Sequence, residues 1–372
     1  PLYSSAASDV YKRQMYMRCV IVSYESCIMR VSTDAVSGFS ESACRAASGA
    51  LSGFIMRAAG KVMGIIMKNI LTFLEENAIK YKDKTAFVDL NDSVTYAELL
   101  ARAQSIGSAL SKTGTKNKPV AVYFDKCVNT ISAMLGVVYS GNFYVVIDSE
   151  MPPARINKIF GALSPVAVIT DKKHHENALQ LEFSGEIFDL EEALSCEINS
   201  EKLAQIRSRQ IDTDPLYALF TSGSTGVPKG AVVSHKSVMA YSEWVSNTFD
   251  ITSETVFANQ TPFYFSMSVT DVYSKLRNGA TLAIVPKMYF SFPIKLVEFL
   301  DEYKANTIYW VPSAISMVSN FKVFDFQKPK YLNKVLFAGE VMPTKQLNYW
   351  INNLPENTLF ANLYGPTETT DI

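Results

Sequence analysis

The 372-residue sequence is poor in metal-binding residues and in long apolar segments. It has three histidines and five cysteines, and the cysteines form no CxxC pair, which argues against a zinc site. It also has no run of about 18 uncharged apolar residues, the length that a membrane-spanning helix needs. No small-residue cleavage site follows the apolar stretch 54–67, and we therefore expect a cytoplasmic protein without a secretory signal.

The sequence also lacks an excess of charge of one sign. Its formal net charge is −1, and acidic and basic residues are interspersed along it. Proteins that bind nucleic acid or anionic membranes concentrate positive charge, so we expect neither nucleic acid nor a membrane as partner. Hydrophobic residues make up 48% of the chain, which is enough for a large core, and the length predicts two to three domains.

Residues 1–66 differ from the rest of the sequence. They are rich in Ser, Ala, Met, Cys and Gly and show no sustained helix or strand periodicity. We interpret this segment as a non-native leader, translated from adapter or upstream sequence; a disordered native leader is the alternative. We expect the folded domain to begin at Met67 and to occupy residues 67–372.

From Met67 onward, apolar strand-like runs alternate with amphipathic helical segments. Thr95 and Glu98 have the spacing of a helix capping box, with which we expect a helix to begin. The predicted strands are 85–90, 120–124, 143–148, 166–170, 216–220, 256–259, 282–285, 308–311, 335–337 and 358–361. Near-continuous apolar strands separated by helices predict an α/β fold with mostly parallel β-sheets flanked by helices.

The segment 221–230, TSGSTGVPKG, follows an apolar strand and combines hydroxyl side chains, glycines and a lysine. Glycines let backbone N–H groups turn toward an anion, and Lys229 supplies a positive charge for a phosphate. The spacing matches neither the Walker A loop nor GxGxxG, which argues against a P-loop NTPase. A bare run of Gly, Ser and Thr could be a flexible surface loop, but the complete string predicts a polyphosphate-binding loop.

The string TSGSTGVPKG resembles the signature of the AMP-forming adenylation superfamily, which includes acyl-CoA synthetases, luciferase and the adenylation domains of nonribosomal peptide synthetases. Three further segments resemble motifs of this superfamily in the same order: VTYAEL at 94–99, GNFYVVID at 141–148 and NLYGPTE at 362–368. The resemblance covers residues 67–372. Within it, the segment 257–273 is most similar to the branch of D-alanine–carrier-protein ligases.

This resemblance implies the large N-terminal domain of an adenylate-forming enzyme and a reaction in two halves. A carboxylate attacks the α-phosphorus of ATP, giving acyl-AMP and pyrophosphate, and a thiol then takes the acyl group. The implied cofactors are ATP and Mg²⁺. The implied partners are a small carboxylic acid and an acyl carrier protein with phosphopantetheine, or CoA. An acyl-CoA ligase and a non-catalytic nucleotide-binding protein are the alternatives.

The same resemblance assigns roles to the motif residues. The β- and γ-phosphates would be held by Thr221, Ser222, Gly223, Ser224, Thr225, Gly226 and Lys229. Glu368 would bind Mg²⁺ and Thr367 would reach the α-phosphate, so these two residues and Lys229 are the candidate catalytic residues. Adenine would be bound by Gly339, Glu340, Asn362 and Tyr364. The acyl-substrate pocket would be lined by Ser266, Met267, Thr270, Trp310, Leu336, Ala338, Leu363, Asp371 and Ile372.

Ser266 departs from the family pattern. Amino-acid-activating members carry an aspartate at this position, which pairs with the α-ammonium group of the substrate. A serine hydroxyl cannot replace a buried carboxylate opposite a charged group. We therefore expect a hydroxy, keto, aryl or short fatty acid as substrate, although Asp371 could supply a displaced carboxylate.

The sequence departs from the family a second time where it ends, at Ile372. The family pattern continues with a ribose-binding aspartate, a hinge and a small C-terminal domain that carries the adenylation lysine. We therefore expect little or no adenylating activity from this chain alone. His235 directly follows the strand after the phosphate loop, and we interpret it as a structural residue and not a catalytic one.

Overall fold

A computed structural model of the chain describes residues 69–221 and 228–371. The predictions about the leader 1–66, the loop residues 222–226 and Ile372 lie outside the described residues.

In the described residues, thirteen β-strands form two sheets. The strands are β1 (Thr85–Val88), β2 (Ser93–Thr95), β3 (Pro119–Tyr123), β4 (Phe143–Ile147), β5 (Ala167–Thr170), β6 (Glu186–Asp189), β7 (Pro215–Thr221), β8 (Lys229–Ser234), β9 (Val256–Asn259), β10 (Thr281–Ile284), β11 (Thr307–Trp310), β12 (Lys334–Phe337) and β13 (Leu359–Asn362). One sheet has the order β13-β12-β11-β9-β10-β1-β2, and the other has the order β6-β5-β3-β4-β7-β8. Neighbouring strands run parallel except for β2 against β1 and β8 against β7.

Twelve α-helices connect and cover these strands in the described part of the chain. They are α1 (Leu71–Lys80), α2 (Tyr96–Leu110), α3 (Val128–Tyr139), α4 (Pro153–Leu163), α5 (His175–Leu179), α6 (Leu190–Leu194), α7 (Ser200–Arg209), α8 (His235–Thr248), α9 (Ser268–Asn278), α10 (Pro293–Glu302), α11 (Pro312–Asn320) and α12 (Thr344–Asn353). None of them combines the length and the hydrophobicity needed to cross a lipid bilayer. The helices and the mostly parallel sheets confirm the predicted fold class.

Local signals in the sequence set several element boundaries. The Thr95 side chain accepts the backbone N–H of Glu98, and the Glu98 carboxylate accepts that of Thr95, so the predicted capping box begins α2. Gly114, at φ 65°, ends the 3₁₀ turn that follows this helix. The ten predicted strands are all present within one or two residues of their predicted bounds. The sequence analysis missed β2, which has three residues, and β6, an edge strand without a fully buried residue.

The buried helices α3 and α9 each pack on one of the two sheets. α3 packs on β3 and β4, and α9 packs on β9 and β10. The hydroxyls of Tyr144 in β4 and Tyr273 in α9 form a buried hydrogen bond of 2.6 Å between the two halves. In open parallel sheets, ligands bind outside the carboxyl ends of the strands, so the loops after these ends are the place to look for a site.

Candidate active site

The predicted phosphate loop connects two antiparallel strands. Thr221, at the end of β7, lies opposite Lys229, at the start of β8. The Lys229 side chain is exposed. Gly230 follows it, and a Cβ atom at this position would come within 3.0 Å of the Phe220 ring. Glycine therefore lets the two strands approach closely where the loop leaves the sheet.

The second predicted motif forms a turn beside the same hairpin. Thr367–Thr369 form a 3₁₀ turn after β13, with Glu368 exposed at its centre. Cα atoms of this turn lie within 8 Å of Cα atoms of β8. The Tyr217 hydroxyl, in β7, donates a hydrogen bond to the Thr370 carbonyl at 3.3 Å. The fold thus brings the strand that begins at Lys229 next to the turn that carries Glu368, although more than 100 residues separate them.

Three of the residues predicted to bind adenine share the carboxyl edge of β12 and β13. Gly339 follows β12 with φ 91°, a backbone conformation that favours glycine. Asn362 lies in register with Phe337 at the ends of the two strands. Tyr364 is 87% exposed. An exposed aromatic ring presents a flat face to solvent, so Tyr364 is available to stack on a flat ligand.

Glu340 lies in the same turn, but its carboxylate faces a helix. Its Oε2 atom accepts the backbone N–H of Ser313 at 2.9 Å, and its Oε1 atom accepts the Ser313 hydroxyl at 3.3 Å. Ser313 is in the first turn of α11, where free N–H groups and the helix dipole favour a carboxylate. The Glu340 side chain therefore has a structural partner, and its predicted adenine contact stays a prediction.

The apolar residues of the predicted acyl pocket belong to the core. Trp310 is fully buried, and its indole N–H donates to the Ala258 carbonyl at 2.8 Å. Its ring lies between Phe290 and Trp350, with centroid distances of 5.2 and 6.4 Å. Leu336 and Ala338, on β12 and just after it, are also buried, whereas Leu363 is partly exposed. Met267 lies near Gly339, where a Cβ atom would be 3.6 Å from the Met267 sulfur.

The polar residues of the predicted pocket form one hydrogen-bonded cluster around Asp371. The Thr270 hydroxyl donates to Asp371 Oδ2 at 2.6 Å, and the Tyr241 hydroxyl donates to the same oxygen at 2.9 Å. Burial raises the pKa of Asp371 to about 6. No sequence pattern indicates a role for Tyr241, because its position on α8 matches that of an ordinary core residue.

A second group of titratable residues lines a cleft of about 640 Å³ at the carboxyl ends of β3, β4, β9 and β10. Lys126 Nζ donates there to the carbonyls of Asn259 and Gln260, at 3.1 and 2.9 Å. Burial lowers the pKa of Lys126 to about 7 and raises that of nearby Asp271 to about 8. None of the predicted site residues that the structure describes lines this cleft, and sequence analysis missed it entirely.

Near the nucleotide-binding motifs, the protein offers a metal ion few ligands of its own, so an ion there would also need phosphate oxygens of a bound nucleotide. Within residues 69–221 and 228–371, no three His, Cys, Asp or Glu side chains are grouped as a metal site. Glu368 offers a single exposed carboxylate. Magnesium is commonly bound by one or two carboxylates together with substrate phosphates and water, so one carboxylate beside a phosphate loop fits Mg²⁺ carried by a nucleotide.

Two mostly parallel sheets, with the candidate residues at their carboxyl ends, define the class of protein: an α/β chain with the architecture of the N-terminal domain of adenylate-forming enzymes. Residues 74–372 match the family described as AMP-binding enzyme, and the chain belongs to this family. The resemblance inferred from the motifs is thereby confirmed.

Curated relatives include the D-alanine--D-alanyl carrier protein ligase of Staphylococcus aureus (strain Newman). It is 30% identical over 305 residues, a match that covers 82% of this chain and 60% of the relative. The same ligase from the strain bovine RF122 / ET3-1 matches with the same identity and coverage. The chain thus spans 60% of the length of the curated relatives that it matches.

Solved structures with the same fold include a nonribosomal peptide synthetase, FmoA3, and the protein VinN. FmoA3 superposes with a TM-score of 0.72 at 22% identity, covering 81% of this chain and 31% of that one. VinN superposes with a TM-score of 0.72 at 18% identity, covering 83% and 78%. At these identities the likeness establishes the fold.

Proposed function

We propose that this chain is the nucleotide- and acyl-binding part of an ATP-dependent ligase. The ligase would activate a small carboxylic acid as acyl-AMP, release pyrophosphate and transfer the acyl group to the phosphopantetheine thiol of a carrier protein. The observation that carries the proposal is the contact between β8 and the turn Thr367–Thr369. This contact supports a site that combines the loop lysine, at the start of β8, with the motif carboxylate, on the turn.

The attack of a carboxylate on a polyphosphate brings two anions together, so catalysis must consist largely of charge neutralisation and positioning. Lys229 is exposed at the end of the hairpin and would neutralise phosphate charge. Thr367 lies one residue before Glu368 and would orient the α-phosphate. Tyr364 would stack on the adenine ring, and Asn362, exposed beside it, would bond the adenine amino group.

ATP and Mg²⁺ are the proposed cofactors. The Glu368 carboxylate would hold the ion, which when bound would neutralise charge on the phosphate oxygens. The roles of Gly339, Glu340 and the loop residues remain predictions of the family resemblance, and the cytoplasmic location remains a prediction of the sequence.

Nucleotide binding by this chain tests the proposal directly. We expect saturable binding of Mg·ATP in calorimetric titration, a strong loss in Lys229→Ala and Glu368→Gln, and no loss in Lys236→Ala. Lys236 is an exposed lysine on α8, so its substitution makes the same change of charge outside the motif. Absence of Mg·ATP binding by the wild-type chain, with the fold verified by circular dichroism, would overturn the proposal.

Turnover separates the proposed ligase from a non-catalytic nucleotide-binding protein. The full-length product of the gene would be assayed for acid-dependent exchange of labelled pyrophosphate into ATP. Exchange supports the ligase, whereas nucleotide binding without exchange for any acid supports the alternative. Thiol transfer assayed with CoA and with a phosphopantetheinylated carrier protein distinguishes an acyl-CoA ligase from a carrier-protein ligase.

A further inference from the structure

Residues 259–271 form a segment that carries part of the predicted acyl pocket, and we call it the acyl segment. It begins at Asn259, the last residue of β9, and ends at Asp271, in the first turn of α9. Three of the predicted pocket residues lie within it: Ser266, Met267 and Thr270. Whatever fixes the backbone of the acyl segment therefore also fixes this part of the pocket.

The two ends of the acyl segment are joined to each other by a buried hydrogen bond. The Asn259 side-chain amide donates to Asp271 Oδ2 at 2.7 Å, and both residues are fully buried. Between these ends, backbone hydrogen bonds form tight turns: Phe265 N–H donates to the Pro262 carbonyl and Ser268 N–H to the Phe265 carbonyl, each at 3.1 Å. These bonds give the segment a local shape, but they do not anchor it to the second sheet.

Lys126, which follows β3 in the second sheet, holds the start of the acyl segment. Its amine donates to the carbonyls of Asn259 and Gln260, at 3.1 and 2.9 Å. The Asn259 carbonyl also accepts the backbone N–H of Val285 at 3.0 Å, whereas Lys126 is the donor that the structure gives to the Gln260 carbonyl. Hydrogen bonds from an ammonium group are stronger than those from a neutral donor, so one side chain holds the segment where it leaves β9.

The same lysine also acts on the middle and the end of the acyl segment. Its Nζ atom lies 5.6 Å from the centre of the Phe263 ring, within the range of a cation–π interaction. Burial lowers the pKa of Lys126, and the charge of Asp271 acts in the opposite direction. Lys126 thus meets the segment through two carbonyls, an aromatic ring and a carboxylate.

A second lysine makes contacts of the same kind at the opposite ends of the strands. The amine of Lys84 donates to the Ser253 carbonyl and, at 2.9 Å, to the Gly279 carbonyl. These two residues precede β9 and β10, so Lys84 holds the amino ends of the strands. Lys126 holds the carboxyl end of β9, the end at which parallel sheets bind ligands. Both lysines are partly buried, so Lys84 provides a matched comparison for Lys126.

We propose that Lys126 is a positioning residue for the acyl group, which fixes the acyl segment from the second sheet in the conformation that binds this group. The inference rests on the proposed function. Lys126 lines the cleft of about 640 Å³, which none of the predicted site residues in the described part of the chain lines. It therefore acts through the acyl segment and not by contact with the acyl group. Its loss should weaken the binding of the acyl group and spare that of the nucleotide.

The experiment compares 5′-O-sulfamoyladenosine with its N-acyl derivatives, which are inert analogues of acyl-AMP. The parent compound reports on the nucleotide site, and the ratio of a derivative's affinity to that of the parent, here called the acyl ratio, reports on the acyl site. The derivatives are benzoyl, propionyl and lactoyl, because an aryl, short fatty or hydroxy acid is the expected substrate. Each compound is titrated calorimetrically into the chain and its variants, with Mg·ATP as a separate titration.

We expect an acyl ratio of at least about ten in the wild-type chain for one or more derivatives. Lys126→Met removes the donors and should lower this ratio roughly tenfold, while the affinities for the parent compound and Mg·ATP change less than about twofold. Lys126→Arg keeps charged donors and should retain most of the ratio. Lys84→Met should keep the wild-type ratio, even where it lowers the melting temperature as much as Lys126→Met does.

An unchanged acyl ratio in Lys126→Met would overturn the inference, as would an equal loss in Lys84→Met, which would point to a general effect of stability. A wild-type ratio close to one for every derivative, with Mg·ATP bound, would also overturn it. If Lys126→Met does not fold, Lys126→Gln decides, because its neutral amide is too short to reach both carbonyls and the same loss is expected. Failure to bind both Mg·ATP and every analogue would instead refute the proposed function, and the inference with it.

Discussion

Two groups of residues in the candidate site differ in how much of their hydrogen-bonding capacity the protein itself uses. What we call the nucleotide edge consists of exposed residues at the β7–β8 hairpin and at or after the end of β13: Lys229, Asn362, Tyr364 and Glu368. The polar interior consists of buried residues that already bond one another: Tyr241, Asn259, Thr270, Asp271 and Asp371. The first group is free to bind a ligand, whereas the second both supports the fold and shapes a pocket.

Because of this difference, substitutions in the two groups should affect different properties, either the stability of the fold or the binding of a ligand. An exposed side chain has little packing to lose, so its substitution changes stability by no more than about 0.5 kcal/mol. A buried side chain loses packing and leaves polar partners without bonds, which costs several times more. Substitutions at the edge should therefore change binding alone, and substitutions in the interior should change stability first.

The largest expected effect is on stability, from substitution of a buried aromatic residue of the predicted acyl pocket. Trp310→Ala removes a fully buried ring and its hydrogen bond to the Ala258 carbonyl. We expect the free energy of unfolding to fall by about 3–5 kcal/mol, measured by urea denaturation. The matched control is Tyr364→Ala at the nucleotide edge, where the ring is 87% exposed and the expected change is within about 0.5 kcal/mol. Similar losses in the two variants would contradict the comparison.

The next effect is a pH dependence that arises in the interior, at His235. This side chain is 1% exposed, its Nδ1 atom has no hydrogen-bond partner among the described residues, and burial lowers its pKa to about 3. The folded-state pKa thus lies below the unfolded value of about 6.5. The contribution of the neutral His235 side chain to the free energy of unfolding is fully present above pH 6.5. It is lost as the pH falls toward 3, because over this range only the unfolded chain takes up the proton.

Between pH 6.5 and 4.5 this histidine should account for a loss on the order of 2–3 kcal/mol. Urea denaturation at a series of pH values measures it. His235→Gln cannot titrate and should show a shallower decline over the same range, whatever its stability at neutral pH. His175→Gln, at a partly exposed position, is the control and should retain the wild-type slope. An unchanged slope in His235→Gln would show that other groups cause the acid sensitivity.

A smaller effect, confined to binding, is expected at the nucleotide edge. Lys229→Ala removes a charge-assisted contact to phosphate, which is worth about 1.5–3 kcal/mol. We therefore expect the affinity for Mg·ATP to fall roughly 10- to 100-fold, because a tenfold change corresponds to about 1.4 kcal/mol. Calorimetric titration measures the affinity, and thermal denaturation should show a melting temperature close to that of the wild type. A large fall in that temperature would mean that Lys229 supports the fold.

The comparison also shows which parts of the site the sequence could predict. The hairpin loop and the segment around Glu368 were predicted as parts of the site because nucleotide binding needs fixed residue types at fixed spacing, and such a pattern is local in the chain. The contact between Thr270 and Asp371 joins residues about 100 positions apart, and no local pattern records it. Tyr241 and Lys126 were missed for the same reason, since each gains its role from partners that the topology supplies.

The strands show the same limit at the level of the fold. Buried strands such as β3 and β4 are apolar throughout and were predicted almost to the residue. The edge strand β6, with the sequence EIFD, lacks both a full apolar run and a fully buried residue. Its strand conformation depends on pairing with β5, a tertiary interaction that its own four residues do not encode.

The smallest expected effect tests whether the turn after β12, next to the nucleotide edge, needs the backbone conformation that glycine allows at position 339. Gly339 has φ 91°, and a Cβ atom there would meet only the Met267 sulfur, at an ordinary contact distance of 3.6 Å. Any cost of Gly339→Ala must therefore come from the backbone conformation, and we expect a loss of about 1–2 kcal/mol in urea denaturation.

Gly161 provides the opposite control for this substitution. It lies within α4, and a Cβ atom at this position would have no atom within 4 Å. Gly161→Ala should therefore stabilise the chain by about 0.5–1 kcal/mol, because alanine favours the helix and restricts the unfolded chain. Opposite signs for the two substitutions would show that the positive φ at Gly339 is imposed by the fold. If Gly339→Ala were neutral, the turn would tolerate a side chain, and the glycine would be needed only for the approach of a ligand.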